Sequence, residues 1–180
     1  MLLKNYLIVT ALLLTTLPLW AQTEISFENE FAEDFFPVWQ RGSTYLLAVA
    51  EAMPAELYDY QPSEEVFTFA EQLMHIAANL YYLNGTYISG KEPEDLDLEI
   101  SDKSKEEIIS DLQKALLQVD ASYLALQAGE EEDEIMLFNR IEADKQRVLM
   151  LMRDHVTHHR GQLVVYLRLN GILPPNYVGW

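Results

Sequence analysis

Three of the four histidines lie in one short segment, Asp154-His155-Val156-Thr157-His158-His159-Arg160-Gly161-Gln162. On an α-helix, residues four apart differ by about 40° around the axis and ~6 Å along it, so His155 and His159 project side by side and can converge on one ion. His158 is the less natural partner. A helical wheel places His155 and His159 within the apolar stripe of Ile141, Val148, Leu151, Met152, Tyr166 and Leu169, with Gln162 on the same line. The pair is therefore expected to face a protein interior, and Arg153 and Arg160 to lie on the opposite side within reach of water. An imidazole without a partner in a core carries a desolvation cost of about a few kcal/mol. Two accounts compete. Each histidine hydrogen-bonds a neighbour such as Tyr166 or Gln162, or the two are nitrogen ligands of a divalent metal completed by a third ligand from a facing helix.

The fourth histidine, His75, lies in a segment that is apolar around most of its circumference, while Thr68, Glu71, Gln72, His75 and Asn79 share the remaining sector. That sector is either a solvent face or the wall of a polar pocket. In the second case Glu71, one turn before His75, is placed to orient the imidazole or to act as a general acid or base, which makes it the candidate catalytic residue. Gln162 and Tyr166 are candidate pocket residues, with ordinary packing as their alternative role. A zincin helix needs a glutamate directly after its first histidine; Val156 stands there, which argues against a metalloprotease of that type.

The pair of motifs Glu71-Gln72-Leu73-Met74-His75-Ile76-Ala77 and Asp154 through Gln162, followed by Leu163 through Leu173 and Pro174-Pro175, resembles the DinB-like family. The resemblance covers essentially the whole chain after its first residues, and the His-x-x-His-His-Arg-Gly-Gln segment is its most specific part. It implies a four-helix bundle, often dimeric, that binds a metal through one histidine of the second helix and two of the last. Carried over by position, these are His75, His155 and His159. The ion expected is a single divalent metal, zinc or nickel first, with iron or manganese also compatible with nitrogen ligands.

Three protein ligands leave coordination positions open, the arrangement of a catalytic rather than a closed structural site. The wider superfamily includes thiol-dependent transferases and an isomerase that uses a small thiol, so the resemblance implies metal activation of a thiol. Three readings remain open at this point: a metal-dependent hydrolase or group transferase acting on a small molecule, a non-catalytic metal or ligand binder, and a structural bundle whose histidines satisfy one another.

The elements that must position these residues read as all-α. A first helix is expected from about Pro37 to Ala52, closed by Pro54. A second is expected to open at Pro62-Ser63, with Ser63 as N-cap, and to run to about Ile88. Gly90 to Lys103 is polar, acidic and without periodicity, and reads as a surface loop. Ser104-Lys105-Glu106-Glu107 has capping-box spacing ahead of the stripe Ile108, Leu112, Ala115, Leu116, Val119 and Tyr123. The last helix is expected to begin between Met136 and Glu142 and to reach Asn170, with Gly171 ending it. The acidic run Glu130 to Glu134 could bind a cation, but it lacks ligand-loop spacing and reads better as a solvated loop. No segment alternates with the period of a strand. The fold expected is an antiparallel four-helix bundle.

At 180 residues the chain suits one domain. Residues 1–21 carry Lys4 and then an apolar run, Tyr6 to Trp20, ending in Ala21, and read as a secretory signal peptide. The run is too short for a spanning helix of about 20 residues. The domain is then residues 22–180, exported to the periplasm or beyond, with no stable membrane insertion after cleavage. Loss of the leader, whose one charge is Lys4, takes the net charge from −17 to −18. A field of that sign, with no basic cluster in the sequence, argues against nucleic acid. The absence of cysteine excludes disulfides, thiolate catalysis and Cys-ligated zinc. Export also argues against the thiol chemistry that the resemblance implies, because small cytosolic thiols are not expected to be plentiful there.

Overall fold

The computed structural model describes residues 25–91, 100 and 102–178. The expected leader, and most of the expected loop between Gly90 and Lys103, lie outside the described residues. Four helices dominate: α1 (Glu30–Ala52), α2 (Phe69–Leu83), α3 (Lys105–Ala125) and α4 (Lys145–Leu169). Each packs on two others, giving the cyclic order α1, α3, α2, α4 around one core. Trp39, Tyr123, Phe69, Leu73, Leu80, Leu112 and Leu149 are fully buried there. No helix among the described residues is long and apolar enough to cross a membrane.

Contacts along the helices fix their directions. Trp39 bonds Asp120 while Lys105 reaches the carbonyls of Glu51 and Met53, so α1 and α3 are antiparallel. Gln72 meets Gln162 and His75 meets His155, so α2 and α4 are antiparallel. Arg160 meets Gly42, and Pro175, beyond the end of α4, meets Tyr45, so α1 and α4 run the same way. The bundle therefore holds two antiparallel pairs, with like-directed helices between them. The second half of α4 is brought against the first half of α2.

Helix starts follow the caps that are satisfied rather than the prolines. Asn29 accepts from Ala32 N at 2.9 Å and opens α1 seven residues before Pro37, which sits inside the helix. Burial of Ala32, Phe36 and Trp39 on both sides of Pro37 outweighs the backbone bond it removes, a loss of about 3 kcal/mol. Likewise α2 starts at Thr68 rather than Ser63. Thr68 and Glu71 form a reciprocal capping box, and residues 62–67 make an exposed turn before it. A π-helical turn, Asn84–Ser89, carries α2 on until Gly90 ends it with φ +63°. Ser104 and Glu107 form the capping box expected for α3.

Between α3 and α4 the expected helix start is instead a hairpin, β1 (Glu134–Leu137) paired antiparallel with β2 (Ile141–Asp144). Four-residue strands are too short to show alternation, and Phe138 and Asn139 take left-handed conformations (φ 52° and 57°) to turn the chain. Ile141 thus belongs to β2 and not to the helical stripe. Asp144 caps α4 by accepting from Arg147 N at 2.7 Å. At the other end Gly171 (φ +71°) closes a Schellman motif in which Ile172 N bonds Leu167 O at 2.9 Å. The acids of 130–133 are tied into local bonds: Glu130 accepts from Gln127 N, Glu131 bonds Asn29, and Asp133 pairs with Lys145.

Candidate metal centre

His75, His155 and His159 each bring one ring nitrogen to a common point, all three within 4.8 Å of one another, and no other group of this kind occurs among the described residues. His75 comes from the first half of α2, one face of which α4 covers; His155 and His159 come from successive turns of α4. His155 Nε2 and His75 Nε2 are 3.2 Å apart, and the three rings pack at centroid distances of 4.4 to 5.0 Å. Two nitrogens bound at ~2.0–2.1 Å to a tetrahedral ion lie about 3.3 Å apart, so this spacing fits a shared ion.

Outer hydrogen bonds orient one of the three imidazoles. His159 Nδ1 lies 2.6 Å from Gln72 Oε1, an acceptor, so Nδ1 carries the proton and Nε2 keeps its lone pair. Gln72 is 2% exposed and donates through Nε2 to Gln162 Oε1 at 2.7 Å, with Tyr166 Oη at 3.4 Å. Gln162 in turn presents Nε2 to His158 Nε2 at 2.9 Å. Tyr166 donates to Phe67 O at 2.9 Å, fastening the turn whose Phe67 ring lies 5.4 Å from His75. The polar sector of α2 is therefore the wall of a site and not a solvent face. His155 differs from His159: its Nδ1 is buried with no hydrogen-bond partner among the described residues.

Burial favours the neutral form of all three imidazoles. It lowers the pKa of His75, and it brings His155 and His159 to about 4, reinforced by mutual repulsion among the histidines. Neutral imidazole is the form that ligates a metal. Among the described residues the donor set is nitrogen alone, with no carboxylate converging on it.

A sequence profile of the DinB family matches residues 27–179. The chain belongs to the DinB family. Its fold is similar to that of a DinB-like protein from Bacillus cereus (TM-score 0.65, 16% identity, covering 81% of this chain and 97% of that one). It is also similar to a DinB-like protein from Bacillus subtilis (TM-score 0.62, 19% identity, 80% and 96% covered). No protein of curated function matches the sequence.

The remaining sequence candidates can be placed relative to the three histidines. Gln162 and Tyr166 each hydrogen-bond Gln72, and His158 is exposed. Glu71 accepts from Thr68 N at 2.6 Å as half of the capping box, and its carboxylate is not among the converging groups. Arg160 departs from expectation: it is 9% exposed, donates to Gly42 O at 3.0 Å and stacks over Tyr45, because the side of α4 opposite the histidines packs on α1. The role of Gln72 was missed, although its place three residues before His75 in the polar sector was the available signal.

Proposed function

We propose that this is an exported protein whose histidine centre holds one divalent metal ion and serves a hydrolase or group-transferase reaction on a small molecule. The observation that supports this most directly is the convergence of ligand atoms of His75, His155 and His159 within 4.8 Å. A divalent ion held there would supply Lewis acidity toward a substrate oxygen or sulfur, or toward water. The chain's own residues do the positioning. Gln72 holds the proton on His159 Nδ1, Tyr166 fastens the turn at Phe67, and the Phe67 ring packs beside His75. Glu71 is the acid or base to be tested, from a position in which it now caps Thr68.

A second reading, a non-catalytic metal or ligand binder, draws support from the lack, among the described residues, of any carboxylate in the converging group. Zinc and nickel suit the donor set best, followed by iron and manganese. A homodimer belongs to the same proposal, and a nucleic-acid partner does not, given a net charge of −17. The test is elemental analysis of native protein beside its His155→Ala variant, then a screen of hydrolase and thiol-transfer substrates. Equal metal in both proteins removes the site assignment; metal without turnover favours the second reading.

A further inference from the structure

On the side of α4 opposite the histidines, a small cleft of about 50 Å³ opens between α1, α4 and the C-terminal tail. Its walls include Arg41, Arg153 and Arg160, three of the six arginines in a chain of net charge −17, together with Trp39, Thr157 and Tyr177. Among the described residues no carboxylate lines it. Arg153 pairs with exposed Asp154 outside the cleft at 3.0 Å, whereas Arg41 and Arg160 have no ion pair among the described residues.

Arg160 is the unusual member. Its guanidinium sits 5.0 Å from the Tyr45 ring centroid, and its one hydrogen bond among the described residues, to Gly42 O, leaves most of its five N–H donors unassigned. Among the described residues this buried cation has no counter-charge, a costly arrangement, and a second arginine, Arg153, stands close enough to repel it. Gly42 lies inside α1 beneath this guanidinium, and a Cβ there would meet Arg160 Nη1 at an ordinary contact of 3.4 Å. Among the described residues Arg41 and Arg160 thus carry positive charge without an ion pair, in a chain whose net charge is −17.

We propose that this cleft is an anion site that receives the oxyanion group, phosphate or carboxylate, of a small ligand between Arg41, Arg153 and Arg160. The planar guanidinium fork matches either oxyanion, and the cleft has room for the charged group while a larger body would remain outside. The site is independent of the metal centre, since its residues point away from the histidines.

Isothermal titration at constant ionic strength tests it, with inorganic phosphate and acetate as probes and chloride as the control. Saturable binding of phosphate, acetate or both is expected, and the pattern names the oxyanion. Arg41→Gln and Arg153→Gln, which remove partly exposed side chains and should leave the helical circular dichroism unchanged, are each expected to weaken binding by about tenfold or more. His155→Ala is expected to bind as wild type does. Absence of saturable binding by either oxyanion, unchanged affinity in both arginine variants, or loss of binding in His155→Ala would each overturn the proposal. The last result would move the anion to the metal centre.

Discussion

His159 donates its Nδ1 proton to the side-chain carbonyl of Gln72 across the α2–α4 interface at 2.6 Å, and this one bond decides which nitrogen of His159 is left to bind a metal. Gln72 is itself held by Gln162 and Tyr166, so its carbonyl cannot turn away without breaking two further contacts. Loss of an outer partner of this kind typically lowers metal affinity 10–100-fold. Gln72→Leu, close in volume and unable to accept, is expected to fall in that range in a chelator competition with zinc. Affinity equal to wild type would show that the tautomer of His159 is fixed some other way.

His158 separates spacing from mere proximity. Its ring lies 4.9 Å from that of His159, yet it is exposed and its Nε2 faces Gln162. His158→Ala is expected to retain a full equivalent of metal by elemental analysis, whereas His159→Ala is expected to lose it. Comparable loss in both would place His158 among the ligands.

The depressed pKa values of His155 and His159 carry a stability consequence for the metal-free protein. In the folded state these imidazoles stay neutral down to about pH 4, while in the unfolded chain they take up protons near the ordinary value of about 6.5. Between those values the unfolded state binds more protons, so stability falls as pH is lowered from about 6.5 to 4 and this contribution changes no further below that. Urea midpoints measured across that range in chelator-treated protein should decline more steeply for wild type than for His155→Ala. Parallel declines would show that acidic residues elsewhere account for the whole effect.

What the sequence made legible was local and repetitive. The i, i+4 spacing of His155 and His159, the Ser104–Glu107 box and the glycine at 171 are each written in adjacent residues, and each reappears in the structure. The hairpin at 134–144 was hidden because four-residue strands give too few alternations to outweigh a helical reading of Met136 and Ile141. Arg160 was misplaced for a different reason. A wheel distinguishes one apolar stripe from the rest, but α4 is packed on both α2 and α1, and a charged side chain can line the second interface when it finds a carbonyl and an aromatic ring there, as Arg160 does at Gly42 and Tyr45. The pairing of Gln72 with His159 joins residues 87 apart in sequence, so no local pattern could fix it.

Glu71 can be assigned by a substitution that separates its two roles. As the third residue of a capping box it accepts from Thr68 N at 2.6 Å, while the hydroxyl of Thr68 accepts from Glu71 N at 3.1 Å. Glutamine serves the same position in such boxes, so Glu71→Gln should keep the cap and leave thermal stability close to wild type. Glu71→Ala removes half the box and should cost on the order of 1 kcal/mol. Glutamine cannot accept a proton in turnover. If the carboxylate leaves the cap to act as a general base, turnover of any substrate found for the metal-loaded enzyme falls by about 10²–10⁴-fold in Glu71→Gln at unchanged stability and metal content. Undiminished turnover in that variant, together with the stability loss in Glu71→Ala, would confine Glu71 to starting the helix that presents Gln72 and His75.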